Sequence, residues 1–290
     1  MGIRVDPYVS REVDMSPEDQ PADSVASQIP SAAAIKSDSY EQARWKSSAD
    51  WPIVWPLIAL VLLSLMIRYF AIDQQASELC YDPVGQVWPL ETAEPWLWFY
   101  RNGTIPPLLV GITGALVFIF GAKLLPRANS VFLNRIRRKG LFLALLLLIG
   151  PGLIVNSSLK MLWGRPRPLQ CEQFGGAMTF LPVGEWGTRY LPNSSFPSGH
   201  AAVAFFLMGL GFVCHPAQLY WQRSLFLAGI AYGLAMGLTR VLQGGHFVSD
   251  VLWAGAIDYF VAVTLWKILI GHDSVVQLPA EQTVPSEHNS

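Results

Sequence analysis

Residues 141–160 read LFLALLLLIGPGLIVNSSLK, a run that is almost wholly apolar until a lysine ends it. A helix of about 20 residues spans the hydrocarbon core of a bilayer, and this stretch has that length. Five further apolar blocks flank it, so the sequence predicts an all-α integral membrane protein with six transmembrane helices. We place these helices at residues 52–71, 105–125, 141–160, 200–216, 224–242 and 250–270, of which the fourth is short for a span.

The composition agrees with a membrane protein. The chain of 290 residues is 14% charged, against about 25% in soluble domains. A net charge of −1 gives no electrostatic basis for nucleic-acid binding, so we expect no nucleic-acid partner. Residues 1–50 and 273–290 are polar and lack apolar periodicity, and the first of these segments lacks the apolar core of a signal peptide. We therefore predict a membrane domain at residues 51–272 between two disordered cytoplasmic tails.

Charged residues indicate how the helices are oriented. Residues 123–140 carry a cluster of Lys and Arg, which the positive-inside rule assigns to the cytoplasm, whereas residues 72–104 carry mainly acids and would face the other side. Six helices then place both tails inside, with the loops 72–104, 161–199 and 243–249 outside. One of these outside loops nevertheless contains Arg165, Arg167 and Arg189. Basic residues on the side where the positive-inside rule does not expect them suggest a role other than orienting the helices in the membrane.

Three polar segments adjoin the last four predicted helices, all on the predicted outside. Because helix ends on one face of a membrane lie side by side, segments that are distant in sequence can meet there. The three segments are Lys160 to Arg167-Pro168, then Pro197-Ser198-Gly199-His200, and then Arg240 with His246 and Asp250.

The first property these segments share is an affinity for anions. Lys160, Arg167 and Arg240 are cations, and the planar fork of arginine suits phosphate oxygens. Ser198 is a preferred N-cap, and Gly199 lets backbone amides approach an anion at the start of a helix. These five residues therefore predict a phosphate-binding site.

The second property is acid–base chemistry. His246 and Asp250 are four residues apart, so one helical turn would place the carboxylate beside the imidazole and fix its tautomer. His200 remains as a second imidazole for proton donation. Each residue alone is more often a cap or a membrane anchor, but together the matched spacings favour a catalytic site. The outer face has no further cluster of His or carboxylate residues, which is consistent with a site that uses neither a metal nor a cofactor.

These segments resemble the three signature motifs of the type 2 phosphatidic acid phosphatase family: Lys-x6-Arg-Pro, Pro-Ser-Gly-His and Ser-Arg-x5-His-x3-Asp. All spacings are intact, and the one departure is Thr239 in place of serine, which keeps a hydroxyl. The match covers about residues 140–255. The resemblance implies a metal-independent phosphatase with its active site at the extracytoplasmic ends of six helices.

The same resemblance implies a role for each motif residue. His246 would attack phosphorus and form a phosphohistidine, held by Asp250, while His200 would protonate the leaving oxygen and later activate water. The phosphoryl oxygens would be bound by the remaining motif residues: Lys160, Arg167, Ser198, Gly199 and Arg240.

The expected partners are membrane lipids, and the expected substrate is a phosphorylated lipid. In the inner membrane of a Gram-negative cell, with the site facing the periplasm, the candidates are lipid A, phosphatidylglycerol phosphate and undecaprenyl diphosphate. Residues 163–182, WGRPRPLQCEQFGGAMTFLP, resemble the corresponding loop of family members that dephosphorylate lipid A, which favours lipid A. A phosphotransferase using the same site, and a non-enzymatic protein that binds or transports an anionic lipid, remain alternatives. The sequence does not indicate an oligomeric state.

Two features outside the motifs have two interpretations each. Cys80 and Cys171 both fall in predicted outside loops, where they would either pair in an oxidising space or stay free. Asp258 lies inside the sixth predicted helix, where a charge is costly and usually faces the bundle interior. It would pair with a neighbour or, as we favour, serve only in packing.

Overall fold

The computed structural model describes residues 51–187, 191, 193–214 and 218–271. Within these ranges the chain is helical, and its only extended pairings are two isolated bridges, Asp82 with Val87 and Cys171 with Met178. The two predicted tails and Arg189 lie outside the described residues, so the tails remain predictions.

Eight helices account for most of the described chain. They are α1 (Val54–Tyr69), α2 (Ile72–Glu78), α3 (Trp96–Asn102), α4 (Ile105–Leu124), α5 (Ser130–Leu162), α6 (Gly199–Phe212), α7 (Leu219–Leu242) and α8 (Val248–Leu269). Two short 3₁₀ turns, Pro168–Gln170 and Glu172–Phe174, lie in the segment between α5 and α6.

The helices confirm a multi-pass membrane protein. By length and composition, α5, α7, α8 and the α3–α4 pair are each apolar and long enough to cross a bilayer. The α1–α2 pair qualifies only as one broken span, because it bends by 61°. α6 is apolar but shorter than these candidate spans, as its sequence predicted. Four to five candidate spans are therefore present in the described residues, and the six-span arrangement remains a prediction.

Two predicted helix starts were wrong: the fifth predicted helix started at residue 224, but α7 begins at Leu219. The third predicted helix started at residue 141, but α5 begins at Ser130, where the Asn129 side chain accepts a hydrogen bond from the Phe132 N–H at 2.8 Å. The basic cluster 123–140 is therefore largely helical and not a loop. Hydropathy marks only the apolar part of a helix, whereas an N-cap such as Asn129 marks its true start.

The middle of α5 is wound more widely than an α-helix. Leu148–Leu159 forms a π-helix around Pro151, whose missing N–H cannot donate to the preceding turn. The side chains of Asn156 and Ser157 donate back to carbonyl oxygens five residues earlier, at 2.7 and 3.0 Å. The next turn carries Lys160, whose side chain is buried.

Helix α6 lies at the centre of the bundle, between α7, α8 and the π-helical part of α5. Its Phe205 packs with Val251 and Ala254 of α8 in one buried apolar cluster. Close approach to α7 depends on small residues: a β-carbon at Gly233 would lie 2.1 Å from the Phe205 ring. This packing fixes the start of α6 beside the ends of its neighbours.

The structure also resolves the two features left open above. Cys80 and Cys171 are free thiols, and both pack around the same aromatic cluster of Trp88, Phe174 and Phe247. Asp258 is fully buried against Gly150, and neither carboxyl oxygen has a hydrogen-bond partner among the described residues. The alternative in which Asp258 pairs with a neighbour was therefore wrong in this part of the chain.

Candidate active site

The predicted site residues gather at one end of the bundle. Helix α5 ends close to where α6 begins, and the turn after α7 leads directly into α8. Lys160 lies near the end of α5 and Arg240 in the last turn of α7, while His200 and Asp250 lie in the first turns of α6 and α8. Three of these side chains, Lys160, Arg240 and Asp250, are buried. A group of buried polar side chains at helix ends is the arrangement expected of a functional site.

His246 and Asp250 meet through a third residue, Ser195. The Ser195 hydroxyl donates to Asp250 Oδ2 at 2.5 Å and lies 3.5 Å from His246 Nδ1. His246 Nδ1 itself is 3.6 Å from Oδ2, slightly beyond hydrogen-bond distance. The Phe247 N–H also donates to Oδ2, at 2.8 Å. The carboxylate is thereby fixed beside Nδ1 of the imidazole.

The turn between α7 and α8 buries the His246 ring almost completely, with 1% of the residue exposed. Burial lowers the pKa of His246 to about 4, although the neighbouring Asp250 acts in the opposite direction. The imidazole is therefore neutral at neutral pH, which is the form that has a lone pair available for attack on an electrophile.

Behind this pair lies Arg165, which the sequence analysis noted only as a basic residue on the unexpected side. Its Nη1 donates to Asp250 Oδ1 at 2.5 Å, and the whole residue is inaccessible to solvent. Burial by itself would lower the pKa of Arg165, but Asp250 and Asp73 outweigh it and raise the pKa. Arg165 thus stays charged inside the protein.

Three cations lie near one another in the site. The charges of Arg167 and Arg240 act on Lys160, and none of the three forms a salt bridge within the described ranges. Arg240 Nη1 donates to Gln243 Oε1 at 2.5 Å, while its buried Nε has no hydrogen-bond partner there. Cations without carboxylate partners form a site for an added anion.

Glycines allow this close packing of cations. A β-carbon at Gly245 would lie 2.1 Å from Arg240 Nη2, so only glycine fits beside the guanidinium. A β-carbon at Gly199 would lie 3.2 Å from Lys160 Nζ and 2.3 Å from Asn156 Oδ1. The start of α6 therefore lies against the lysine at the end of α5.

The N-terminus of α6 differs in one detail from its predicted role. The Ser198 hydroxyl accepts from the Ala201 N–H at 3.4 Å, as expected of an N-cap. The Ser198 N–H, however, donates to the Asp250 carbonyl oxygen at 3.1 Å, so this amide is used inside the protein. The amides that follow, of Gly199 and His200, belong to the first helical turn and point out of the helix end.

The His200 imidazole is only partly buried and faces the same space. Its ring packs on Tyr100 with the ring centres 4.8 Å apart. The groups whose charges act on it come from four different segments: Arg240, His246, Lys160 and Arg167. All eight residues predicted from the three motifs are thus close together in space.

Several residues of the site carry no motif and were not predicted. Tyr100 lies on α3, and Ser195 lies just before the second motif. Asp73 was counted as an acid of an outside loop, which was wrong, because it lies on α2 and is buried. The Thr239 hydroxyl, by contrast, donates to Ala235 O within its own helix and does not reach the site. In the described ranges, no three His, Cys, Asp or Glu side chains are grouped as metal ligands.

Comparison with known proteins identifies related sequences. The family profile described as "PAP2 superfamily" matches residues 140–272. The chain is similar to the lipid A 4'-phosphatase of Francisella tularensis subsp. novicida, with 35% identity over 173 residues that cover 59% of this chain and 71% of the relative. It is also similar to the lipid A 4'-phosphatase of Rhizobium leguminosarum, with 40% identity over 119 residues, 40% of this chain and 50% of that protein. A third relative, the lipid A 4'-phosphatase of Rhizobium etli, is 38% identical over 123 residues and is covered to 45%. The chain thus spans about half the length of the two Rhizobium proteins. No solved structure matches.

Proposed function

The chain belongs to the PAP2 superfamily and is a metal-independent lipid phosphatase of that family, and we propose that it removes a phosphate from lipid A. One observation carries the catalytic part of this proposal: a buried, neutral His246 held by Asp250 lies near three cations that have no carboxylate partner among the described residues. The substrate follows from the relatives, since all three are named lipid A 4'-phosphatase.

We further propose that six helices span the inner membrane and that the site faces the periplasm. Helix α5 is 33 residues long, or about 50 Å, which exceeds the thickness of the hydrocarbon core. Basic residues including Arg135 and Lys139 lie towards its start, and Lys160 lies near its end. If the basic end is cytoplasmic, the catalytic end is on the opposite side, where the headgroup of an outer-leaflet lipid lies.

The first chemical step is attack by His246 on phosphorus. Nδ1 faces Asp250 and Ser195, which leaves Nε2 as the nucleophile. A nitrogen–phosphorus bond forms, the phosphorus–oxygen bond to the sugar breaks, and its electron pair goes to the leaving oxygen. The negative charge of the bound phosphate would offset the three cations and favour protonated His200, which then donates its proton to that oxygen. Asp250 stabilises the positive charge that develops on the His246 ring.

The second step releases phosphate. Neutral His200 takes a proton from water, the water oxygen attacks phosphorus, and the nitrogen–phosphorus bond breaks with its electron pair returning to Nε2. In both steps Lys160, Arg167 and Arg240 would bind the three equatorial oxygens, together with the amides of Gly199 and His200. The Ser198 hydroxyl completes this set as a donor. Most of the catalysis would come from this charge stabilisation.

A phosphate-release assay on the purified full-length protein in detergent tests the proposal. The lipids to compare are lipid A, phosphatidate, phosphatidylglycerol phosphate and undecaprenyl diphosphate, with mass spectrometry of each lipid product. We expect inorganic phosphate from lipid A, and loss of nearly all release in His246→Ala protein that still inserts into the membrane. Release only from another lipid would contradict the substrate, and labelled phosphate found on a second lipid would indicate a phosphotransferase. If His246→Ala retains function, or no lipid yields phosphate, the enzyme proposal fails.

A further inference from the structure

A second polar network is joined to Asp250 through its Oδ1, whereas Ser195 and His246 lie at Oδ2. Its centre is Arg165, which bridges two acids: Nη1 donates to Asp250 Oδ1 at 2.5 Å and Nη2 donates to Asp73 Oδ2 at 2.8 Å. None of these three side chains is more than 3% exposed. The two acids are 177 positions apart in the numbering (250 − 73), so only the fold brings them together.

The Arg165 guanidinium is held on every side. Its Nε donates to Leu181 O, and Nη1 also donates to Ser249 Oγ, both at 2.8 Å. One face of the group lies over the Phe247 ring, 4.4 Å from the ring centre. A planar fork fixed by hydrogen bonds and an aromatic ring has one orientation, so the oxygen it binds on Asp250 is fixed as well.

Asp73 completes the network through Ser249. Asp73 Oδ1 accepts from the Ser249 N–H at 2.9 Å, and Oδ2 accepts from the Ser249 hydroxyl at 2.6 Å. Asp73 therefore contacts the first turn of α8 as well as Arg165. It comes from the second residue of α2, just after Ala71, which adopts a left-handed conformation where α1 and α2 bend.

The charges explain why both acids are present. A carboxylate as deeply buried as Asp250 is costly unless it is paired and hydrogen-bonded, and Arg165 provides that pair. With Asp250 as the only carboxylate, Arg165 Nη2 would have no acid to pair with in a region closed to water. Asp73 binds Nη2. Because Arg165 and Asp73 are buried and their polar atoms are all bonded within the protein, neither is placed to touch the substrate.

We propose that Arg165 and Asp73 are positioning residues of this phosphatase: Arg165 holds Asp250 in the orientation that directs its Oδ2 to His246, and Asp73 holds Arg165. The proposal rests on the function proposed above for Asp250 and His246. The network also extends the site from the motif-bearing helices to the bent α1–α2 pair, since Asp73 reaches Asp250 only through Arg165.

Kinetics of variants of the full-length protein test these roles. We expect Arg165→Gln to lower kcat on lipid A by at least about 100-fold while KM changes little. The variant would remove an interaction that acts only in the transition state, and such a loss lowers kcat. Arg165→Lys keeps the charge but loses the fork, so we expect a loss of about 10-fold. Asp73→Asn keeps the shape of the side chain, and we expect a loss of about 10-fold in kcat.

The acid limb of the pH profile, the range in which kcat/KM falls as the pH is lowered, gives a readout that a purely structural role would not change. The titratable and charged groups near His246 are Asp250 from α8, Lys160 from α5, Arg240 from α7 and His200 from α6, and the Arg165–Asp73 pair binds Asp250. Removing the positive charge of Arg165 raises the pKa of His246, so the acid limb of Arg165→Gln moves to higher pH. Removing the negative charge of Asp73 lowers that pKa, so the limb of Asp73→Asn moves to lower pH.

The matched control is Arg68→Gln, which removes an Arg–carboxylate pair with Glu185 in which both side chains are more than 40% exposed. We expect its kcat and pH profile to equal those of the unmodified protein.

The double variant Arg165→Gln with Asp73→Asn removes one charge of each sign, so its acid limb should return toward the original pH. If Arg165→Gln does not insert, Arg165→Lys and Asp73→Asn decide the question.

The results separate this proposal from the one it rests on. If the unmodified protein releases no phosphate from any lipid, the proposed function fails. If it is active and Asp250→Asn is inactive, but Arg165→Lys and Asp73→Asn keep kcat within about twofold and leave the acid limb in place, the positioning roles are overturned. Shifts of the limb in the same direction for Arg165→Gln and Asp73→Asn would also overturn them.

Discussion

The guanidinium of Arg240 lies over the ring of Tyr100, with its Cζ 4.3 Å from the ring centre. The other side chain packed on this ring is His200, so one aromatic residue contacts both a phosphate-binding candidate and the candidate proton donor. Tyr100 belongs to α3, which precedes all three motifs in the sequence. Helix α3 therefore forms one wall of the site.

Replacing Tyr100 tests whether α3 contributes to the site. We expect Tyr100→Ala to lower kcat/KM on the lipid substrate by about 10-fold, because a cation over an aromatic ring gains about 0.5–2 kcal/mol and Arg240 would lose that support. Tyr100→Phe keeps the ring and should retain most of the activity. Trp98→Ala, at an exposed position of the same helix, is the control and should be neutral. Equal losses in the Phe and Ala variants would contradict a role for the ring.

Gly245 offers a steric test of the Arg240 position. A β-carbon there would lie 2.1 Å from Nη2 and 2.6 Å from Cζ, so Gly245→Ala must displace the guanidinium. We expect kcat/KM to fall at least about 10-fold, since one charge-assisted contact to phosphate is worth about 1.5–3 kcal/mol. Gly152→Ala is the matched control, because its nearest neighbour would be at an ordinary 3.4 Å. Unchanged kinetics in Gly245→Ala would show that Arg240 does not bind the phosphate.

Ser195 gives a further kinetic prediction. Its hydroxyl joins Asp250 to the His246 ring, so Ser195→Ala removes a buried hydrogen bond without creating a new charge. We expect kcat to fall about 10-fold with KM nearly unchanged, corresponding to about 1–1.5 kcal/mol. Ser157→Ala, at an exposed position of α5, should not change either constant. A rise in KM alone would instead assign Ser195 to substrate binding.

The low pKa of His246 makes the stability of the protein depend on pH. The folded state holds this imidazole with a pKa of about 4, against 6.5 for an unperturbed histidine, so the unfolded chain binds a proton first as the pH falls. The stabilisation is fully present above pH 6.5 and is lost as the pH falls towards 4, by about 3 kcal/mol. Thermal unfolding midpoints in detergent should fall over this range, and less steeply in His246→Gln. Parallel slopes for the two proteins would contradict a buried neutral imidazole.

The apolar helices could be predicted from hydropathy because the membrane imposes their length. Helix α8 occupies Val248–Leu269 where residues 250–270 were expected, and α4 agrees similarly, whereas α7 ends at the predicted residue but begins at Leu219 where residue 224 was expected. The start of α5 was missed because its first turns carry Arg135, Arg137 and other polar residues. Length and hydropathy describe only the part of a helix that contacts lipid.

The candidate site was predictable as far as local spacing reaches. His246 and Asp250 lie one turn apart, and the helix ends bring the other motif residues to them. Arg165 had a signal, its unexpected position in an outside loop, but that signal did not reveal a partner. Asp73 and Tyr100 had none, because their contacts depend on the bend after α1 and on how α3 packs. Such contacts are set by tertiary structure and leave no periodicity in the sequence.

The buried network of Asp73, Arg165 and Asp250 has a consequence for how the protein is made. Chain synthesis delivers Asp73 to the membrane 92 residues before Arg165, and Asp250 follows 85 residues after Arg165. Until Arg165 has been made, Asp73 has no cation to pair with. Until Asp250 has been made, Arg165 has only one of its two acids. The nascent chain must therefore keep these groups hydrated or transiently paired until α8 arrives. Completion of the Asp73–Arg165–Asp250 network therefore waits for α8 to be made.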